Sequence, residues 1–129
     1  MSWAIDYIGD PWIAGEHDCW AFFRRVQKEV FHVELPAFDV DVDNILSVAK
    51  ELNSNEEKSN WDKVCSPKEG DAVLMAHTKY PSHIGIWVDA DRGGVLHCTR
   101  GEGVVFSNYK SLEMLGWKTL TYYRHKNES

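Results

Sequence analysis

Residues 83–99 read HIGIWVDADRGGVLHCT, and this stretch decides what kind of fold the chain can form. It holds two short runs rich in β-branched and aromatic residues, HIGIWV and GVLHCT. Such runs, separated by Asp and Gly, predict two antiparallel strands joined by a short turn. Alternation along the first strand puts two sets of side chains on opposite faces: Ile84, Ile86 and Val88 on one, and His83, Gly85 and Trp87 on the other. The apolar set predicts the core side, so His83 is expected to point away from the core.

Three further runs are also short and rich in β-branched and aromatic residues. They are DAVLMA at 71–76, GVVFS at 103–107 and KTLTYYRH at 118–125. The runs are separated by Gly, Pro, Asp and Ser. The second half of the chain therefore predicts a meander of about five antiparallel strands.

The first half of the chain is predicted to be helical. Asp18 is placed to cap a helix whose first turn holds Cys19, and apolar residues recur at helical spacing as far as Phe31. This helix should end near HVELP, residues 32–36, because Pro36 biases the residue before it away from helical dihedral angles.

A second helix is predicted in DVDNILSVAKEL, residues 41–52, followed by a polar loop at 53–60. The fold class is therefore α+β, with N-terminal helices followed by the antiparallel sheet. A chain of 129 residues is long enough for one core, so we expect a single domain over residues 1–129.

Composition and charge exclude several classes of function. The net charge of -6 argues against a nucleic-acid partner, because neutralising phosphates requires a basic face. No segment approaches the ~20 apolar residues that cross a bilayer, so no membrane contact is expected. The first residues, MSWAIDYIGDPW, lack the basic start and apolar centre of a secretory signal. We therefore expect synthesis in the cytoplasm, with export only through a partner or a particle.

Cys19 is the first candidate for chemistry. At the start of a helix, unpaired N–H groups and the helix dipole stabilise negative charge, which lowers the pKa of a thiol and favours the reactive thiolate. A buried structural thiol is the alternative interpretation, since free cysteines are among the most buried residues. The other two cysteines, Cys65 and Cys98, are interpreted as structural and reduced, because the three spacings suggest no disulfide framework.

Two histidines could act on this thiol. His83 begins one predicted strand and His97 lies in the next, so a short turn would bring them side by side. One imidazole could then accept the thiol proton while the other holds it in the working tautomer. A metal site is the competing hypothesis, but the sequence has no CxxC, HExxH or other zinc spacing, and no metal or cofactor is predicted.

Four stretches in this order resemble the NlpC/P60 family of cell-wall cysteine peptidases, which have a papain-like α+β core. They are PWIAGEHDCWAFFRRV at 11–26, EGDAVLM at 69–75, SHIGIWVD at 82–89 and GVLHCTRGEGVV at 94–105. The resemblance implies that Cys19 is the nucleophile, His83 the base and His97 the residue that orients the base. It also implies a peptidoglycan stem peptide as substrate, cleaved at an amide bond next to D-glutamate or diaminopimelate.

Within the family, the chain is most similar to short bacteriophage tail proteins, on the strength of Leu35-Pro36 and the LGW of residues 115–117. This implies tail-tip proteins as partners and a place in the virion. Where many members carry a tyrosine that assists the oxyanion, this chain has Trp12, whose indole N–H can also donate. Tyr7 is the alternative donor, and Asp18 is grouped with these two as a positioning residue.

Two other functions fit the same fold. One is a structural tail-tip or assembly component with little or no hydrolytic activity. The other is an antibacterial amidase effector that is injected by a partner. Three intact candidate residues, Cys19, His83 and His97, favour the enzyme over a purely structural role.

Overall fold

A computed structural model of the chain describes residues 2–13, 18–35, 61–78 and 82–126. The described helices are α1 (Ser2–Ile5), α2 (Cys19–Phe31) and α3 (Tyr109–Met114). The strands are β1 (Trp61–Val64), β2 (Ala72–Ala76), β3 (His83–Val88), β4 (Gly94–Thr99), β5 (Gly103–Asn108) and β6 (Thr119–His125). The predicted helix at 41–52 and the predicted loop at 53–60 lie outside the described residues. None of the described helices is long and apolar enough to cross a membrane.

Helix α2 begins and ends where the sequence predicts. The Asp18 carboxylate accepts the N–H of Ala21 at 2.9 Å, and its carbonyl accepts the N–H of Phe22. This N-cap satisfies donors that the first helical turn leaves without partners. At the other end His32 adopts a left-handed conformation, with φ of 59°, and donates its N–H to the Gln27 carbonyl. Cys19 is therefore the first residue of a capped helix.

The strands form one sheet of six, in the order β1-β6-β2-β3-β4-β5, with every neighbouring pair antiparallel. All five predicted strands are present, and β2 to β5 form the predicted meander. The prediction is wrong on two points. Strand β1 was not predicted, and β6 does not continue the meander beside β5 but returns to lie between β1 and β2.

Helix α3 and one ion pair explain the position of β6. Leu112 of α3 packs in the same cluster as Val73 and Met75 of β2, so the chain after β5 crosses the sheet face before β6 begins. Arg124 of β6 then binds the buried Asp71 through two hydrogen bonds of 2.8 and 3.0 Å. Because Asp71 immediately precedes β2, this bidentate contact holds β6 against β2.

Both faces of the sheet are covered. The predicted core set of Ile84, Ile86 and Val88 does face α2, in a cluster that includes Phe22 and Phe23. The opposite face carries a second, smaller cluster formed by Val73, Met75, Trp87, Val95 and Leu112. His83 thus points away from α2, as predicted, but it is buried because the second cluster covers that face as well.

Candidate active site

Cys19 lies where the start of α2 meets the start of β3. Its side chain is buried, and its sulfur faces the backbone N–H groups of Ile84, Trp20 and Cys19 itself. Ile84 follows His83 directly in the chain, so β3 brings the thiol and this histidine to the same strand end. The capped helix and the strand together fix the position of the sulfur.

The acidity of this thiol differs from the expectation for a helix start. Burial and, less strongly, the negative charge of Asp18 raise the pKa of Cys19 to about 11, although the three N–H groups act to lower it. Desolvation disfavours a thiolate more than a helix terminus stabilises it in this position. In the free protein Cys19 is therefore a neutral thiol, and any nucleophilic role requires a base.

His83, His97 and Ser107 form a chain of hydrogen bonds that starts at the first residue of β3. His83 Nε2 lies 2.9 Å from His97 Nδ1, and His97 Nε2 lies 2.9 Å from Ser107 Oγ. All three side chains are buried. The predicted pairing of the two histidines is present. Because Nε2 of His83 is bonded to His97, Nδ1 is the nitrogen of His83 that is available to accept the thiol proton.

Both histidines are held in their neutral form. Burial, with smaller contributions from the charges of His97 and His77, lowers the pKa of His83 to about 3. Burial also lowers the pKa of His97 to about 4. At neutral pH both imidazoles are therefore uncharged, the form in which a ring nitrogen can accept a proton, and the lowered pKa makes His83 a weaker base than an exposed histidine.

These shifts predict that acid destabilises the fold. In the unfolded chain a histidine has a pKa of about 6.5, so below that pH the unfolded state binds more protons than the folded state. The free energy of unfolding should therefore fall as the pH falls from about 6.5 towards the folded pKa values, by about 1.4 kcal/mol per pH unit for each histidine. Urea unfolding at several pH values between about 5 and 6.5 measures this slope.

The variant His83→Gln should reduce the pH dependence of the free energy of unfolding by the contribution of one histidine. His32→Asn is the matched control, because His32 is exposed and asparagine tolerates its left-handed conformation. Equal slopes in the wild type and His83→Gln would mean that His83 is not held neutral by the fold.

Trp117 completes the surroundings of His83. Its ring lies nearly parallel to the His83 ring, with the centroids 5.3 Å apart, and also to the His77 ring at 3.7 Å. The sequence marked Trp117 only as part of LGW and predicted no contact for it. The structure places it against the candidate base, where it limits access of water to the imidazole.

Comparison with protein families matches residues 9–123 to the model of the NlpC/P60 family. The chain belongs to the NlpC/P60 family. The matched residues include Cys19, both histidines and Ser107. Comparison with curated protein sequences finds no match.

A solved structure with the same fold is the NlpC/p60 domain of the peptidoglycan hydrolase SagA. The two superpose with a TM-score of 0.57 and 19% sequence identity, over 93% of this chain and 92% of that one. This likeness confirms the predicted α+β, papain-like fold. The family match covers both α2 and the six-stranded sheet except the last residues of β6.

Asp18 and Tyr7 have structural contacts in this NlpC/P60 domain. The Asp18 carboxylate is occupied by the helix cap. The Tyr7 hydroxyl donates to Glu29 Oε1 at 2.6 Å. Glu29 lies about 15 Å beyond Cys19 along α2, at 1.5 Å per residue, so this contact does not favour Tyr7 as an oxyanion donor, and that role stays a prediction. The sequence could not show this, because the contact depends on how α1 packs against α2.

The variant Tyr7→Phe tests whether Tyr7 assists the oxyanion. It removes the hydrogen bond to the exposed Glu29 and should lower the free energy of unfolding by about 1 kcal/mol, the usual net contribution of a hydrogen bond. Catalytic rates should stay within about twofold of the wild type, because the hydroxyl is remote from Cys19. A large fall in kcat with unchanged stability would support Tyr7 as an oxyanion donor.

Trp12 lies at the turn between β4 and β5. The Arg100 guanidinium stands over its ring, 4.9 Å from the centroid. The segment before Trp12 is fixed to β5, since the Asp10 carbonyl accepts the N–H of Val104. Gly103 permits this approach, because a Cβ there would overlap the Asp10 carbonyl oxygen. The role of Trp12 as an oxyanion donor stays a prediction.

The other two cysteines are not members of the hydrogen-bonded chain of His83, His97 and Ser107. Cys98 is buried on the α2 face of β4, as predicted, and Cys65 is exposed after β1. Within residues 2–13, 18–35, 61–78 and 82–126, no group of three His, Cys, Asp or Glu side chains is arranged to hold a metal ion.

Sequence reasoning missed Ser107. It is the only new polar partner of the two histidines among the residues the structure describes. Strand alternation could have indicated it, because Ser107 and Val105 share a face of β5 and Val105 pairs with His97. Alternation alone does not give the register of β5 against β4, and the sequence does not specify that register.

Proposed function

We propose that this NlpC/P60 domain is a cysteine peptidase or amidase that hydrolyses amide bonds in peptidoglycan stem peptides. The observation that carries the proposal is the hydrogen bond between His83 and His97, at the strand end that meets the start of the capped helix holding Cys19. A thiol and a hydrogen-bonded pair of imidazoles brought to one strand end form an arrangement suited to nucleophilic catalysis. The hydrolase activity named for the SagA domain, which shares this fold, supports a cell-wall substrate.

In the proposed acylation step the sulfur of Cys19 attacks the carbonyl carbon of the scissile amide. The thiol proton passes to Nδ1 of His83 as the carbon–sulfur bond forms, so the charged thiolate never accumulates in the buried site. The carbonyl oxygen becomes an oxyanion, which the backbone N–H of Cys19 at the helix start stabilises. One such donor typically contributes about 3 kcal/mol to catalysis.

In the second half of the reaction His83 returns the proton. The imidazolium protonates the leaving amine as the carbon–nitrogen bond breaks, and a thioester with Cys19 remains. Water then attacks the thioester carbonyl and its proton goes to His83 Nδ1. The carbon–sulfur bond breaks, the imidazolium returns the proton to the sulfur of Cys19, and the carboxylic acid product leaves. Through both steps His97 accepts a hydrogen bond from His83 Nε2, which stabilises the imidazolium.

Digestion of purified sacculi tests the substrate class. The wild-type protein should release soluble fragments that carry new amino termini within the stem peptides, and mass spectrometry of the fragments identifies the bond. Release of fragments without new amino termini would indicate cleavage of the glycan strands instead. No release from sacculi of any stem-peptide type would refute a peptidoglycan substrate.

We further propose that the domain acts as part of a bacteriophage tail, with tail-tip proteins as partners. The proposal is supported by the likeness of Leu35-Pro36 and of residues 115–117 to the short tail-associated members of the family. Peptide mass spectrometry of purified virions should detect the chain in fixed proportion to the tail proteins. Its presence only in the soluble lysate would favour an effector that a partner delivers.

A further inference from the structure

Ser107 is the polar residue of this site to which no role has been assigned. It is 4% exposed, and its Oγ lies 2.9 Å from His97 Nε2. The register of β4 and β5 pairs Ser107 with Val95 and His97 with Val105, so Ser107 and His97 lie diagonally on the same face of the sheet. The strand pairing therefore fixes the contact.

The chain from Ser107 to His83 can hold its protons in two ways. In the first arrangement His83 donates from Nε2 to His97, and His97 donates from Nε2 to Ser107. In the second, Ser107 donates to His97 Nε2, His97 donates from Nδ1 to His83 Nε2, and the proton of His83 is on Nδ1. Each neutral imidazole carries one proton, so the tautomers of the two rings change together.

Only the first arrangement leaves the lone pair of His83 Nδ1 available to the thiol. The surroundings of Cys19 favour it, because the sulfur already faces the N–H groups of Ile84, Trp20 and Cys19. Such a sulfur needs an acceptor for its own proton and gains little from one more donor. An Nδ1 lone pair on His83 meets that need, whereas a proton on Nδ1 would not.

We propose that Ser107 is a positioning residue that accepts the His97 Nε2 proton and thereby sets the tautomers of both histidines for catalysis. The proposal rests on the proposed function, since it gives the base of that reaction its lone pair. Without the serine oxygen, the Nε2–H of His97 would be a buried donor with no acceptor, which is unfavourable. His97 would then move its proton to Nδ1 and force the proton of His83 onto Nδ1 as well.

The variant Ser107→Ala should show this change directly. In ¹⁵N NMR spectra of the free protein at neutral pH, wild-type His83 and His97 should both carry their proton on Nε2, and both should carry it on Nδ1 in Ser107→Ala. Ser107→Thr keeps a hydroxyl, suits a strand, and should restore the wild-type tautomers. Spectra of His83→Gln and His97→Gln assign the signals.

The same variants have a kinetic signature. Ser107→Ala should lower kcat by about 5- to 150-fold with KM unchanged, because only the population of the competent tautomer changes. Ser107→Thr should recover most of that loss. Ser66→Ala, a serine that is exposed and lies far along the chain from the histidines, is the matched control and should keep the wild-type kcat.

Two spectroscopic results would each contradict the proposal that Ser107 sets the tautomers. A wild-type His97 protonated on Nδ1, which is measured without any variant, would contradict it. So would a Ser107→Ala protein that folds and keeps the wild-type tautomers. These spectra need no substrate. A failure to digest sacculi would therefore refute the proposed function without changing the tautomers measured for His83 and His97.

Discussion

Replacing Cys19 by alanine is expected to lower the rate of stem-peptide hydrolysis by roughly 10⁴-fold or more. The covalent route is lost with the sulfur, and substitution of a catalytic nucleophile typically removes nearly all of the rate enhancement. The fold should survive, because the cap at Asp18 and the packing of α2 on the sheet do not depend on the thiol. The measurement is the initial rate of fragment release from sacculi.

Cys65→Ala is the matched control for this loss. Cys65 is exposed and outside the site, so the variant should keep the wild-type rate. If Cys19→Ala retained a rate within tenfold of the wild type, the nucleophile would have to be another group.

The second large effect is expected for His83→Gln, with kcat lowered by roughly 10²- to 10⁴-fold. Burial raises the pKa of the Cys19 thiol, so the reaction depends on a group that removes its proton during attack. Glutamine can replace the hydrogen bond to His97 but cannot accept that proton at neutral pH. The loss should therefore appear in kcat, with KM little changed.

Activity in His83→Gln should recover in part at high pH. Hydroxide then removes the thiol proton without help, so the ratio of wild-type to variant kcat should narrow as the pH rises towards the raised thiol pKa of about 11. His32→Asn, at an exposed position, should follow the wild-type profile throughout. A constant ratio across the pH range would contradict a role for His83 as the base.

Local sequence patterns were sufficient to predict most of the elements. The capped helix at Cys19 and the strands β2 to β6 follow from capping chemistry, helical spacing and β-branched runs bounded by turn residues. Strand β1 was missed because WDKV is four residues long, follows a polar stretch and has no alternation of its own. Such a strand exists only because β6 pairs with it.

Long-range features could not be predicted in the same way. The return of β6 to β2 depends on Leu112 crossing the sheet face and on the contact between Arg124 and Asp71. Neither contact has a signal in the local sequence. A meander was the simplest assumption for consecutive strands, and tertiary packing overrode it.

In the candidate site, too, some features follow from local sequence and others depend on tertiary packing. The pairing of His83 with His97 follows from strand alternation, but the acidity of Cys19 does not, because it depends on how deeply the helix start is buried. Trp117, in the turn after α3, and Ser107, in β5, reach His83 and His97 only after the sheet has formed. The contact of Tyr7 with Glu29 was not predictable either, because the packing of the segment after α1 decides where its hydroxyl lies.

The most direct test of covalent cysteine catalysis is to trap the acyl-enzyme. The wild-type protein is mixed with a soluble stem-peptide substrate, quenched in acid during turnover, digested and mapped by mass spectrometry. The predicted result is an acyl adduct on the peptide that contains Cys19, absent from Cys19→Ala. An adduct on another residue, or turnover by Cys19→Ala at the wild-type rate, would contradict the assignment of Cys19 as the nucleophile.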